Sequence, residues 1–212
     1  MKGLLLKDYY VMLKNCRAFL PLVVVFLAVS ILNPQSSFFR YYTAIIVGMM
    51  SLSLLSFDER DGWERTCIMF PYTRTQMVSG KYLFGLILVL LLSVVSGVAT
   101  AAAGISAGTL VWQRVLRDTA VMVAAGVMAP AFVLPFSFKF GTEKGRIAYY
   151  AAIVLICAVM GMIAIGVEKG GGNRIIQMLL SENAVYGYMA ASLLVYIVSW
   201  LLSVCFYKKR EL

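Results

Sequence analysis

The densest concentration of reactive side chains lies between residues 57 and 82. Asp58, Glu59, Asp61 and Glu64 are interleaved with Arg60 and Arg65, and Arg74 and Lys81 follow beyond Pro71. Four carboxylates at this spacing could act as general acid, general base or magnesium ligands. Against that chemistry, Arg60 and Arg65 would neutralise them, and no second acidic cluster faces them. The same stretch carries Trp63 and the apolar run Cys67-Ile68-Met69-Phe70. A short helix with these residues on one side, stopped by Pro71, would suit docking into a groove on a partner protein. Thr73 or Thr75 would cap the helix that follows.

Other chemistries are absent from the sequence. There is no histidine, which removes an imidazole base, a His-ligated metal and a histidine pH switch. The four cysteines, Cys16, Cys67, Cys157 and Cys205, are scattered without metal-ligand spacing and read as small apolar packing residues. No Gly-x-x-x-x-Gly-Lys-Ser/Thr phosphate loop occurs.

The elements that must position the charged stretch are membrane helices. Of 212 residues, 61% are hydrophobic and 14% charged, against roughly 45–50% and about 25% in soluble domains. Six apolar runs, 18–32, 38–57, 82–105, 119–138, 147–167 and 188–207, read as an all-α bundle of six spans forming one domain. The charged stretch, 58–81, is then the second loop. A secretory leader ending at Ala28-Val29-Ser30 competes for the first run, but Asp8, a long basic start and five later runs argue against it. Fourteen of the nineteen Lys and Arg residues fall in the N-terminal segment, the second and fourth loops and the tail, which places both termini in the cytoplasm. The net charge of +9 is explained by topology and lipid headgroups, without nucleic acid.

Residues 1–17 read as an amphipathic surface helix, with Leu6, Tyr9, Tyr10 and Leu13 on one face and Lys7, Lys14 and Asn15 on the other. The spans hold almost no ionisable group, which argues against ion-coupled carriage. They offer instead Ser51, Ser53, Ser56, Ser93, Ser96 and Thr100, a weakly polar lining suited to an amphipathic substrate, and Gly104 with Gly108 as a close-packing pair. The fourth loop, with Lys139, Glu143, Lys144 and Arg146, is either a glycine-permitted turn or a second cytoplasmic contact. Residues 168–187, with Gly170-Gly171-Gly172 and an apolar stretch from Ile175 to Leu180, form either a re-entrant segment or a packed outer loop.

Two stretches carry a family resemblance. Ser56-Phe57-Asp58-Glu59, Trp63-Glu64, Phe70-Pro71 with Thr73-Arg74, Val78 and Lys81-Tyr82 form the first. Pro135-Phe136, Lys139-Phe140-Gly141 and Glu143-Lys144-Gly145-Arg146 form the second. Both resemble motifs of small permease subunits of type 2 ABC exporters. Phe70 stands where that family usually has leucine and Thr73 where serine is common.

The resemblance implies a permease half in a bacterial cell membrane, paired with a second copy or a paralogue and with separate ATPase chains that hold the ATP and magnesium. Trp63, Glu64, Arg65, Ile68, Met69 and Phe70 would form a coupling helix that docks on the ATPase. Asp58, Glu59, Arg74, Lys81 and Tyr82 would brace it, Lys139, Glu143, Lys144 and Arg146 would make a second contact, and residues 1–17 would be an elbow helix. No catalytic residue, metal site or cofactor is expected in this chain. Exporters of amphipathic peptides, both phenol-soluble modulins and antimicrobial peptides, are similar in size and layout. A membrane-embedded enzyme using the acidic loop and a non-transporting assembly or sensor subunit are the competing readings.

Overall fold

The computed structural model describes residues 2–15, 17, 19–32, 37–63, 67, 69, 73–106, 108, 111–144, 147, 150 and 182–209. The long helices among them are α1 (Lys2–Asn15), α2 (Phe19–Leu32), α3 (Ser37–Arg60), α4 (Arg74–Ser106), α5 (Trp112–Phe140) and α6 (Glu182–Lys209). No strand occurs among the described residues. Among the described residues four helical stretches are long and apolar enough to cross a membrane: Phe39–Arg60, Arg74–Ser106, Trp112–Phe140 and Gly187–Lys208. They correspond to the second, third, fourth and sixth expected spans. The first expected span is the 14-residue α2, which at 1.5 Å per residue is about 21 Å long and shorter than a hydrocarbon core of about 30 Å. The fifth, 147–167, and the outer stretch 168–187 fall largely outside the described residues.

Contacts fix the helix directions. Asp58 near the end of α3 meets Lys81 near the start of α4, so these two run antiparallel. Arg40 meets Asp118 at the starts of α3 and α5, and Glu59 meets Thr142 at their ends, so that pair is parallel. Phe138 stacks edge-on against Tyr207, and Ser199 bonds Ala131, which makes α5 and α6 parallel as well. The expected fifth span lies between these two helices in sequence, largely outside the described residues. Helix α1, the end of α3, the start of α4 and the ends of α5 and α6 therefore share one end of the bundle.

Helix α5 is central, packed against α3, α4 and α6. Its buried face includes Met122, Val127 and Leu134, which pack with Ala44, Val47 and Val89 from α3 and α4. The helix contains Pro130 and Pro135, each lacking the N–H that its turn would donate. The oxygens left without that helical donor are those of Gly126 and Ala131, four residues earlier. Ala131 O accepts the Ser199 hydroxyl of α6 at 2.5 Å. Gly126 O faces α3 so closely that a Cβ on Gly48 would overlap it.

Glycine brings helices together at this crossing, and Gly97 does so against Thr119 of α5. Gly108 lies beyond the end of α4, at φ 66° in a turn closed by its N–H to Ile105 O, with nothing near its missing side chain among the described residues. The hydroxyls read as a lining are also turned to local use. Ser51, Ser56, Ser93 and Thr100 donate to carbonyls three or four residues earlier on their own helices.

Candidate functional site

The end of the bundle that holds α1 carries a closed ring of four charges. Lys81 Nζ lies 2.7 Å from Asp8 Oδ1 and 2.6 Å from Asp58 Oδ2. Lys7 Nζ lies 2.5 Å from Asp58 Oδ1 and 3.6 Å from Asp8 Oδ1. Each base thus bridges both acids, and the ring is neutral. Asp8, Asp58 and Lys81 are buried and Lys7 is partly covered. Such charges tolerate removal from water only because each is paired in good geometry. Lys7 also lies 4.3 Å from the centroid of the Trp63 ring. The side chains enclose a small cavity of about 30 Å³ that is also lined by Leu4, Phe138 and Tyr207.

The ring shows what Lys7 does on the side of α1 opposite Leu6, Tyr9 and Tyr10: it reaches Asp58, and Leu4, Asp8 and Met12 are buried. Leu6, Tyr9 and Tyr10 are exposed. The ring also explains why the second loop is shorter than 58–81. Charged residues that read as loop are helical: Asp58, Glu59 and Arg60 end α3, and Arg74 through Lys81 open α4. Pairing inside the protein lets them continue the spans.

The connection between the two helices is closed at both edges. Asp61 N–H bonds Phe57 O, and Gly62 at φ 65° takes the left-handed conformation that ends α3. Thr73 and Gln76 form a reciprocal capping pair at the start of α4, with Gln76 N–H to Thr73 Oγ1 at 3.3 Å and Thr73 N–H to Gln76 Oε1 at 3.2 Å. Thr73 is therefore the cap, and its hydroxyl also meets that of Thr75. Cys67 is fully buried, and burial pushes its thiol above the ordinary range against the pull of Lys7. Met69, by contrast, is 86% exposed.

The other expected bracing residues each tie this end to a different helix. Glu59 Oε2 accepts the Thr142 N–H at 2.8 Å and its hydroxyl at 2.6 Å, so the fourth loop is anchored on α3. Arg74 donates to Lys208 O at the end of α6. Tyr82 enters a hydroxyl network with Ser199 at 2.7 Å and Ser203 at 2.6 Å, and Tyr196 donates to Tyr82 O. Adjacent residues Lys81 and Tyr82 thereby hold the start of α4 between α1 and α3 on one side and α6 on the other.

Of the expected docking residues, Trp63 and Met69 are described, while Glu64, Arg65, Ile68 and Phe70 lie outside the described residues. In the fourth loop Lys139, Glu143 and Lys144 are exposed, and Arg146 is outside the description. Sequence reasoning missed Lys7, Asp8 and Thr142 as partners of the loop. Asp8, a lone acid in a basic segment, was the available signal. It also missed a second ion pair at the opposite end of α3, where buried Arg40 meets Asp118 at 2.6 Å and donates to Ser30.

A chain of apolar helices with paired charges at their ends has the construction of a multi-pass membrane component. Residues 3–208 match the family described as ABC-2 family transporter protein. The chain belongs to that family. ABC-2 family proteins are transporter membrane components, which makes this chain a membrane permease component and accounts for the all-helical, lipid-compatible architecture. The same family implies an ABC ATPase as partner. No curated protein matches the chain closely enough to add a relative.

Proposed function

We propose that this ABC-2 family chain is one permease of an exporter in a bacterial cell membrane, with both termini cytoplasmic. It pairs with a second copy or a paralogue and with two ATPase chains, in which ATP and magnesium are bound. Residues around Trp63–Phe70 dock on the ATPase, with the fourth loop as a second contact, and α1 serves as the elbow. The cargo is an amphipathic peptide, released by alternating access.

The observation that carries this reading is the ring of Lys7, Asp8, Asp58 and Lys81. It pins both flanks of the connection between α3 and α4 to each other and to α1. A force applied to that connection is then delivered to two long helices together rather than absorbed by a loose loop. Glu59–Thr142 and Arg74–Lys208 extend the same mounting toward α5 and α6.

Purification of the tagged chain from gently solubilised native membranes tests the reading. An ATPase chain with a phosphate loop should co-purify, and Arg65→Glu should uncouple its hydrolysis from peptide export while the permease stays folded. Export unchanged by Arg65→Glu would overturn the docking assignment. Recovery of the chain alone and without ATPase activity would overturn the exporter reading.

A further inference from the structure

Between the parallel helices α5 and α6 runs an apolar groove of about 450 Å³ lined by Phe132, Phe136, Leu194, Val198 and Leu202, with Lys139 at one end. Phe136, Leu194, Val198 and Leu202 are exposed on its walls. The α6 wall from Leu194 to Phe206 covers 12 residue steps, about 18 Å at 1.5 Å per residue. That is close to the depth of one leaflet, half of a hydrocarbon core of about 30 Å. The lining of the groove among the described residues is thus about one acyl layer long.

Its charged end has a fixed place. Lys139 sits in the last turn of α5, at the same end of the bundle as the ionic ring. Its ammonium lies 4.8 Å from the Phe140 ring centroid and 5.0 Å from that of Phe206, which hold it over the mouth of the groove. Among the described residues no carboxylate lies within ion-pair distance of it. Lys7, Lys81 and Arg40, by comparison, each have an acidic partner.

We infer that this groove binds one anionic phospholipid, with its acyl chains against Phe132, Phe136, Val198 and Leu202 and its phosphate at Lys139. Charge complementarity selects the occupant: a basic group between helices at headgroup level attracts anionic lipid. The one-leaflet depth favours a lipid over a peptide in transit, whose path must cover both leaflets. Ser199, which lines the groove, spends its hydroxyl on Ala131 O, so the inner wall presents little polar surface to oppose acyl chains. The inference rests on membrane embedding and is independent of what the chain transports.

The test is native mass spectrometry of the full-length protein, released from vesicles containing equal phosphatidylglycerol and phosphatidylcholine. Wild type should retain phosphatidylglycerol preferentially. Lys139→Gln should weaken that retention about fivefold, the contribution of one basic side chain at a membrane surface, and Lys139→Arg should restore it. Leu202→Trp, which fills the groove without altering charge, should reduce retention of both lipids. Lys144→Gln, on the neighbouring loop outside the groove, should leave retention unchanged. Equal losses with Lys144→Gln and Lys139→Gln would reduce the effect to general surface charge and overturn the site. Retention unaffected by Leu202→Trp would do the same, as would wild type that retains no phosphatidylglycerol in preference to phosphatidylcholine.

Discussion

The carbonyl oxygen of Gly126 in α5 occupies the space that a side chain on Gly48 in α3 would need. Pro130 leaves that oxygen without its helical N–H, so the two helices meet where one backbone is least tied to itself. Gly48→Ala must drive the helices apart. It should cost about 3 kcal/mol, at the upper end of ordinary overpacking, and lower the melting temperature in detergent. Gly108→Ala, in an open turn, should lower it far less by strain at φ 66° alone. Equal melting of Gly48→Ala and wild type would refute the crossing.

Removing one base from the ionic ring leaves two carboxylates facing each other with a single cation. Lys81→Met should therefore destabilise by about 3–5 kcal/mol, the range for breaking a buried pair. Combining it with Asp58→Leu restores neutrality with Lys7 and Asp8 still paired, so the double variant should be more stable than the sum of the single losses. Thermal unfolding of all three variants checks this. Strict additivity would mean that the two side chains do not act as one unit.

Ser199→Ala strands the oxygen of Ala131, which Pro135 has already deprived of its N–H. The expected loss is about 1–3 kcal/mol, the cost of leaving a buried acceptor unsatisfied. Pro135→Ala in the Ser199→Ala background supplies the missing donor from within α5 and should recover most of the loss. Unfolding midpoints in detergent would show whether it does.

Cys67 offers a chemical readout of the connection between α3 and α4. Full burial and a thiol pushed upward leave little reactive thiolate at neutral pH. With Cys16, Cys157 and Cys205 replaced by serine, a maleimide should label Cys67 only after denaturation. Lys7→Met, which removes the cation over Trp63, should expose it to labelling in the native protein. Rapid labelling of Cys67 in the otherwise unaltered native protein would contradict its burial.

The spans could be read in the sequence because hydrocarbon imposes a long apolar run, and 38–57, 82–105, 119–138 and 188–207 each fall within a helix of the structure. The sequence left the cap of α4 open between Thr73 and Thr75, and the reciprocal bonds of Thr73 with Gln76 decide it. What escaped were ends and partners. Asp58, Glu59 and Lys81 are charged, and a charge beside an apolar run reads as loop unless its neutraliser is known. The neutralisers here, Asp8 and Lys7, lie more than 50 positions away from Asp58 or Lys81, and no local pattern announces such a pairing. The role of Ser199 was hidden for the same reason, because it depends on the register of α6 against a proline in α5.

The ionic ring also sets an order of assembly. Lys7, Asp8 and Asp58 leave the ribosome before Lys81, because synthesis runs from the N-terminus. Until α4, the second long apolar helix, is laid into the bilayer, two carboxylates share one ammonium group, and the first helix made has no complete berth. The earliest segment synthesised is thus held back from its final seat until a later one arrives. Insertion of α4 becomes the event that locks the beginning of the polypeptide in place.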